Sequence, residues 1–183
     1  MNTKVLIVCI LLFAAVLIGT FSLGLFKQKE ATPQPQNTTT NAAIQFDTWQ
    51  EQTVDEIGLT FKTPPGTTFR KEVADDGGRI RILGFYVENN DKNSPYMLYG
   101  VHQFDKEATD VDLEKAKDEM DTSTIIEASI DGYEGIEGLI LGEKTRYITM
   151  IIKDGKLFSV STIPPNQENK ELTEQILATF AFQ

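Results

Sequence analysis

Eight carboxylates crowd one short stretch of this sequence: Asp105, Glu107, Asp110, Asp112, Glu114, Asp118, Glu119 and Asp121. Calcium takes oxygen ligands at alternating positions, and Asp110-x-Asp112-x-Glu114 has that spacing. A calcium loop also needs a glycine for its sharp turn, and Lys115 stands where that glycine would fall. The same acids read better as the solvated start of a helix. Paired carboxylates can serve glycoside hydrolysis, but no aromatic-lined cleft accompanies these in the sequence. Other chemistry is thinly supplied. A Ser-His-Asp or Cys-His centre needs an imidazole beside a nucleophile; the one histidine, His102, falls in an expected strand and the one cysteine, Cys9, in a long apolar run. His102 reads as a partly buried sheet residue, and Cys9 as a small apolar side chain facing lipid. A zinc site lacks ligands for the same reason. The glycines sit in Asp-Gly turns or are scattered through strands, with no Lys-Ser/Thr following, so no phosphate loop is present. The expectation is a protein that is not an enzyme, with no catalytic, cofactor-binding or metal-binding residue and no cofactor.

The elements that must carry these residues are organised around Arg146 to Ile163. Two runs rich in β-branched and aromatic residues flank Asp154-Gly155, a pair that accepts the positive φ of a type I′ turn, which predicts a β-hairpin. Tyr147, Thr149 and Ile151 point one way, and Ile148, Met150 and Ile152 the other. Apolar groups on both sides predict a central pair of strands covered on both faces.

Ahead of this domain the sequence divides into three parts. Residues 1–4 form a short basic N-terminus. Residues 5–26, Val5 to Phe26, carry no charge, and as a helix of 22 positions would extend roughly 33 Å, enough for a hydrocarbon core of about 30 Å. That predicts one transmembrane anchor; a cleaved signal would have a shorter apolar region and an A-x-A-like site, which is not clear here. Val8 before Cys9 argues against a lipoprotein signal. Residues 27–43 are a polar Thr/Gln/Pro/Asn stretch without apolar period, read as a disordered linker. Lys4 on one side is nearly balanced by Lys27 and Lys29, offset by Glu30, on the other. The tether tips the orientation toward a cytoplasmic N-terminus and a C-terminal domain outside the cytoplasm. Asn37-Thr38-Thr39 fits a glycosylation acceptor, but ordinary linker composition is the better reading.

Residues 44–183 form one domain with 14 Lys and Arg against 26 Asp and Glu, a net charge of −12. That sign repels nucleic acid and anionic lipid surfaces, so no nucleic-acid partner is expected. Short strands are expected at Trp49 to Val54 and Leu59 to Thr63, around a turn at Glu56 to Gly58, and at Arg79 to Val87 and Tyr96 to Phe104. Asp112 to Met120 changes to a helical period, with Leu113, Ala116 and Met120 on one face and Asp110 or Asp112 as cap. A second hairpin turns at Asp131-Gly132 between Ile125 to Ile130 and Tyr133 to Ile140. Leu172, Ile176, Thr179 and Phe180 predict a closing helix over Glu168 to Phe180 that covers one face of the sheet.

In this order of elements the chain resembles the superfamily of PsbP-like domains, which includes the extrinsic subunit of the oxygen-evolving photosystem, a Ran-binding nuclear-import factor and many bacterial extracytoplasmic proteins. The resemblance is carried by Gly58-Leu59-Thr60-Phe61-Lys62-Thr63-Pro64-Pro65-Gly66, by Ile130-Asp131-Gly132-Tyr133-Glu134-Gly135, by the Tyr147 to Ile163 hairpin, and by Ile176-Leu177-Ala178-Thr179-Phe180. It covers most of residues 49–183. The aromatic residue expected after the proline opening comes late, as Phe69 behind Thr67 and Thr68. The resemblance implies an α+β fold, an antiparallel β-sheet with helices packed on its faces, here preceded by one transmembrane helix. It implies no site, because the scaffold serves as adaptor, assembly factor and subunit alike. The functional expectation is a membrane-anchored extracytoplasmic binding domain, an adaptor or assembly subunit with an unknown protein partner. A small-ligand or cation-binding module is the alternative, and a carboxylate-dependent hydrolase the second.

Overall fold

The computed structural model describes residues 46–89 and 91–183. The anchor and linker expected at residues 5–43 lie outside the described residues, and among the described residues no helix is long and apolar enough to cross a membrane. The described part is mostly antiparallel β-sheet with two α-helices.

Ten strands form two sheets. β1 (Gln50–Val54), β2 (Leu59–Thr63) and β10 (Ala181–Phe182) make a three-stranded sheet in the order β1-β2-β10. The other seven are β3 (Thr68–Asp76), β4 (Arg79–Asn89), β5 (Tyr96–Gln103), β6 (Ile126–Ile130), β7 (Tyr133–Ile140), β8 (Arg146–Lys153) and β9 (Lys156–Ile163), in the order β3-β4-β5-β9-β8-β7-β6. All of these pairings are antiparallel. The helices are α1 (Asp110–Lys117) and α2 (Gln167–Leu177).

The β8-β9 hairpin occupies the middle of the large sheet, as its two-sided apolar pattern predicts. Asp154 and Gly155 turn it with φ of 52° and 70°, and Asp131-Gly132 does the same between β6 and β7 with 48° and 82°. These are the positive angles that a two-residue type I′ loop needs. Because side chains alternate, β9 sends Phe158, Val160 and Thr162 to one face and Ser159, Ser161 and Ile163 to the other.

The first face holds the main core. Leu83, Phe85 and Val87 of β4, Leu98 of β5, Ile151 of β8 and Phe158 and Val160 of β9 pack against Val54, Leu59 and Phe61 of the small sheet and Ile176 of α2. The rings of Phe61, Phe85, Phe158 and Phe180 pack at centroid distances of 4.9 to 6.3 Å, within the range at which aromatic pairs attract. Gly100 makes this possible: it lies opposite Phe85 in the register, and a Cβ there would meet the Phe85 ring at 2.1 Å.

A polar seam fixes α2 over the same face. The Thr173 hydroxyl bonds both Tyr96 OH at 3.0 Å and Thr162 Oγ1 at 2.8 Å, and Asn169 Nδ2 donates to the carbonyls of Pro95 and Pro164. Lys170 Nζ reaches Glu137 Oε1 at 2.7 Å, while Glu137 Oε2 accepts from Thr149 at 3.1 Å. Burial works against the Lys170 ammonium, but the hydrogen bonds to Glu137 and Glu174 outweigh it and raise its pKa.

On the second face, Leu113 and Ala116 of α1, with Met120 just beyond it, cover Ile136, Ile148 and their neighbours Ile140, Met150 and Ile152. Met120 sits over Gly138, where a Cβ would lie 2.6 Å from its sulfur. This cover stops short. α1 contacts β7 and β8, and no helix among the described residues packs on the β4-β5-β9 part of that face, which floors a concavity. The expected two-sided cover of the central strands is therefore complete on one face and partial on the other.

The helices begin and end earlier than the apolar period suggests. α1 starts at Asp110 because Thr109, extended in backbone, caps it, donating its N–H to the Asp112 carboxylate at 3.0 Å. α2 starts behind Asn166, whose Oδ1 accepts from Asn169 N at 2.8 Å, and stops at Leu177, so that Phe180 belongs to the tail that leads into β10.

Candidate functional site

The acids around residues 105–121 do not converge. Asp105 pairs with Arg81 at 3.1 Å, Glu107 with Lys156 at 2.5 Å, and Glu114 with Lys117 at 2.6 Å. Asp112 is held below the usual carboxylate range, first by the Thr109 N–H and then by Lys106, and Asp121 likewise by the hydroxyl and N–H of Ser123. Asp110 opens the helix, and Asp118 closes it. Among the described residues no group of three or more His, Cys, Asp or Glu side chains could hold a metal ion.

His102 lies on the core face of β5, 6% exposed, edge-on to Phe104 at 4.5 Å and near Phe158 at 6.3 Å. Its Nδ1 is buried without a hydrogen-bond partner. Desolvation, with Lys153 adding to it, pushes the imidazole down to about 4, so it is neutral at physiological pH. With hydrophobic neighbours and no nucleophile bonded to it, His102 is a core residue.

The uncovered half of the second sheet face is a different environment. It forms a concavity of about 860 Å³ whose floor is Met97, Tyr99 and Val101 of β5 and Ser159, Ser161 and Ile163 of β9. The register sets them in rows: Met97 beside Ile163, Tyr99 beside Ser161, Val101 beside Ser159. One wall is aromatic. Tyr86 of β4 lies directly opposite Tyr99, and their rings stack at 4.4 Å with an interplanar angle of 18°. Gly84 makes room for this, since Tyr99 Cε2 lies only 3.2 Å from where a Cβ would be. Arg70 of β3 closes the stack, its guanidinium carbon 3.5 Å from the Tyr86 ring centre. Tyr86 OH donates to Glu72 at 3.2 Å; burial, with Tyr99 and Glu72 beside it, pushes the phenol up to about 12 and keeps it a donor.

The opposite wall comes from Glu143, Lys144, Thr145 and Arg146, the loop before β8 and its first residue, and Pro164-Pro165 continue the lining after β9. Hydrogen bonds within the loop shape it: Thr145 Oγ1 donates to Gly142 O at 2.8 Å and Arg146 Nη1 to Lys144 O at 3.0 Å. The groove therefore offers stacked aromatic rings, an aliphatic floor, serine hydroxyls and a cationic rim. Such a set has the makings of a binding surface, an apolar floor with a few polar groups at its edge.

Sequence reasoning singles out neither Tyr86, Tyr99 nor the rim. The one readable trace is the alternation within Tyr96 to Phe104, which puts Met97, Tyr99 and Val101 on one face; that this face lacks cover follows only from where α1 lands. None of the family models, curated proteins or solved structures compared with the chain matches it.

Proposed function

We propose that this chain is an adaptor or assembly subunit, anchored in a membrane by Val5 to Phe26, whose residues 44–183 form a PsbP-like sandwich outside the cytoplasm and bind another protein through the β4-β5-β9 groove. One observation carries this reading: the β4-β5-β9 part of one face of the central sheet is left open, lined with Tyr86, Met97, Tyr99, Val101 and Ile163, while α1 packs on the β7-β8 part. Apolar and aromatic surface left in a concavity is the usual mark of a docking site, and tyrosine and arginine are the residues most used at such sites. A large sheet carrying one helix on each face agrees with what the PsbP-like resemblance implies; the three-stranded sheet is additional to it.

The volume also falls in the range of small-molecule sites, which favours a small-ligand module as the second reading. The test is cross-linking in native membranes, with a photo-reactive residue at Val101 in the groove or at Glu51 on the exposed strand β1, and a chain lacking residues 44–183 as control. One recurrent protein adduct formed from Val101, not from Glu51 and not in the control, is the expected result. Background adducts alone, from a folded and externally displayed domain, would overturn the adaptor reading in favour of the small ligand.

A further inference from the structure

We infer that the groove takes an extended segment of a partner protein that carries a carboxylate next to an apolar or aromatic side chain. This rests on the groove being the binding surface and adds the chemistry of what it binds.

The argument starts from charge. Of the 14 Lys and Arg side chains in residues 44–183, eight pair with acids: Arg70, Lys71, Arg81, Lys106, Lys117, Lys153, Lys156 and Lys170. Six have no ion pair among the described residues, Lys62, Arg79, Lys92, Lys115, Lys144 and Arg146, and of these only Lys144 and Arg146 line the groove. Lys144 and Arg146 have no acidic partner among the described residues, and both stand on the groove rim. Glu143 carries the one carboxylate of that wall, so the lining is net positive where the domain as a whole is negative. Arg146 is further held in place by its bond to the Lys144 carbonyl, which engages one edge of the guanidinium and leaves other donors for a ligand.

Register then says what lies beside the cations. Tyr147 pairs with Thr162, so Arg146 begins β8 level with Ile163, which is next to Met97. The charged rim and the apolar end of the floor are the same end of the groove, together with Pro164 and Pro165. A ligand matching it joins a carboxylate to an apolar group at short range. Farther along, the side chains of Ser159, Ser161 and Gln103 lie in the lining without a hydrogen bond among the described residues, which provides partners for the amides of an extended backbone. From Met97 to Val101 the floor runs roughly 13 Å, about four extended residues. An anionic bilayer would present carboxylates or phosphates too, but as a surface it faces the repulsion of the whole domain, while a narrow segment meets only the rim.

The experiment pans a random octapeptide display library against the full chain in mild detergent, then measures synthetic versions of the enriched peptides by fluorescence anisotropy. The variants are Lys144→Glu/Arg146→Glu, Ser159→Trp to fill the floor, and Lys115→Glu as a cation reversal on α1 away from the groove, each checked for unchanged thermal unfolding. The expected result is peptides with Asp or Glu within two residues of an apolar or aromatic residue, weakened at least tenfold by the double reversal and by Ser159→Trp and unchanged by Lys115→Glu. Peptides that Ser159→Trp blocks but that lack an acid, or that ignore the double reversal, would overturn the acidic-segment inference and leave the groove as a binding surface. No enrichment, or binding indifferent to Ser159→Trp, would overturn the inference and the groove reading with it.

Discussion

Acidification from pH 7 to pH 5 should weaken this domain through one side chain, His102. In the folded chain its imidazole is held near 4 by desolvation and the nearby Lys153, against 6.5 for the unfolded group. Above pH 6.5 both states are neutral and the histidine contributes no pH dependence. As pH falls through 6.5 the unfolded chain takes up a proton that the folded chain excludes, so stability drops, and the loss levels off below about 4. A displacement of this size corresponds to about 3 kcal/mol when complete and about 2 kcal/mol by pH 5. Urea unfolding at pH 7, 6 and 5, on the parent and on His102→Phe, isolates the term, because the carboxylates titrate alike in both. Since the buried Nδ1 has no partner, removing it should not harm the domain at pH 7, and His102→Phe should be at least as stable there. The parent should then lose about 2 kcal/mol more than the variant between pH 7 and pH 5. Equal losses would refute the reasoning and show that the imidazole finds a proton acceptor or water in the folded state.

Other perturbations test the packing. Ile151 is fully buried in the central hairpin, and Ile151→Ala should cost roughly 2–5 kcal/mol in denaturant unfolding; a negligible loss would remove the hairpin from the core. Gly100→Ala places a methyl 2.1 Å from the Phe85 ring, and should cost about 3 kcal/mol or prevent folding. Adding Phe85→Leu to Gly100→Ala should recover part of that loss, and failure to do so would place the strain elsewhere. Lys170→Ala strips Glu137, 9% exposed, of its cation, and should cost about 2–3 kcal/mol in denaturant unfolding; an unchanged stability would show that the Lys170–Glu137 pair does not hold α2 to the sheet.

What could be read in the sequence was whatever is encoded locally. The two Asp-Gly hairpins and the strands flanking them are specified by turn residues and β-branched runs within a few positions of each other. β3 was missed because all of its residues but Phe69 are exposed, so no apolar alternation marks it; its strand character comes from pairing with β4. β10 is two residues long and is a strand only because β2 lies beside it, more than a hundred positions earlier in the chain. The same non-locality hid the groove. Tyr86 and Tyr99 stack because β4 and β5 pair in a particular register, and Ser159 and Ser161 join them because β9 crosses back to pair with β5. The acids of 105–121, the most conspicuous chemistry in the sequence, form separate ion pairs and cap contacts instead of one site.

The position of β2 bears on how the protein is made. Leu59 and Phe61 leave the ribosome well before the strand that completes their sheet, β10, and the helix that covers them, α2. At roughly 5–20 residues per second, the wait from Leu59 to Phe182 is about 6–25 s. During that interval the core cannot close, and its apolar strands stay open to chaperones. Closure of the core is thereby deferred until α2 and β10 have both emerged.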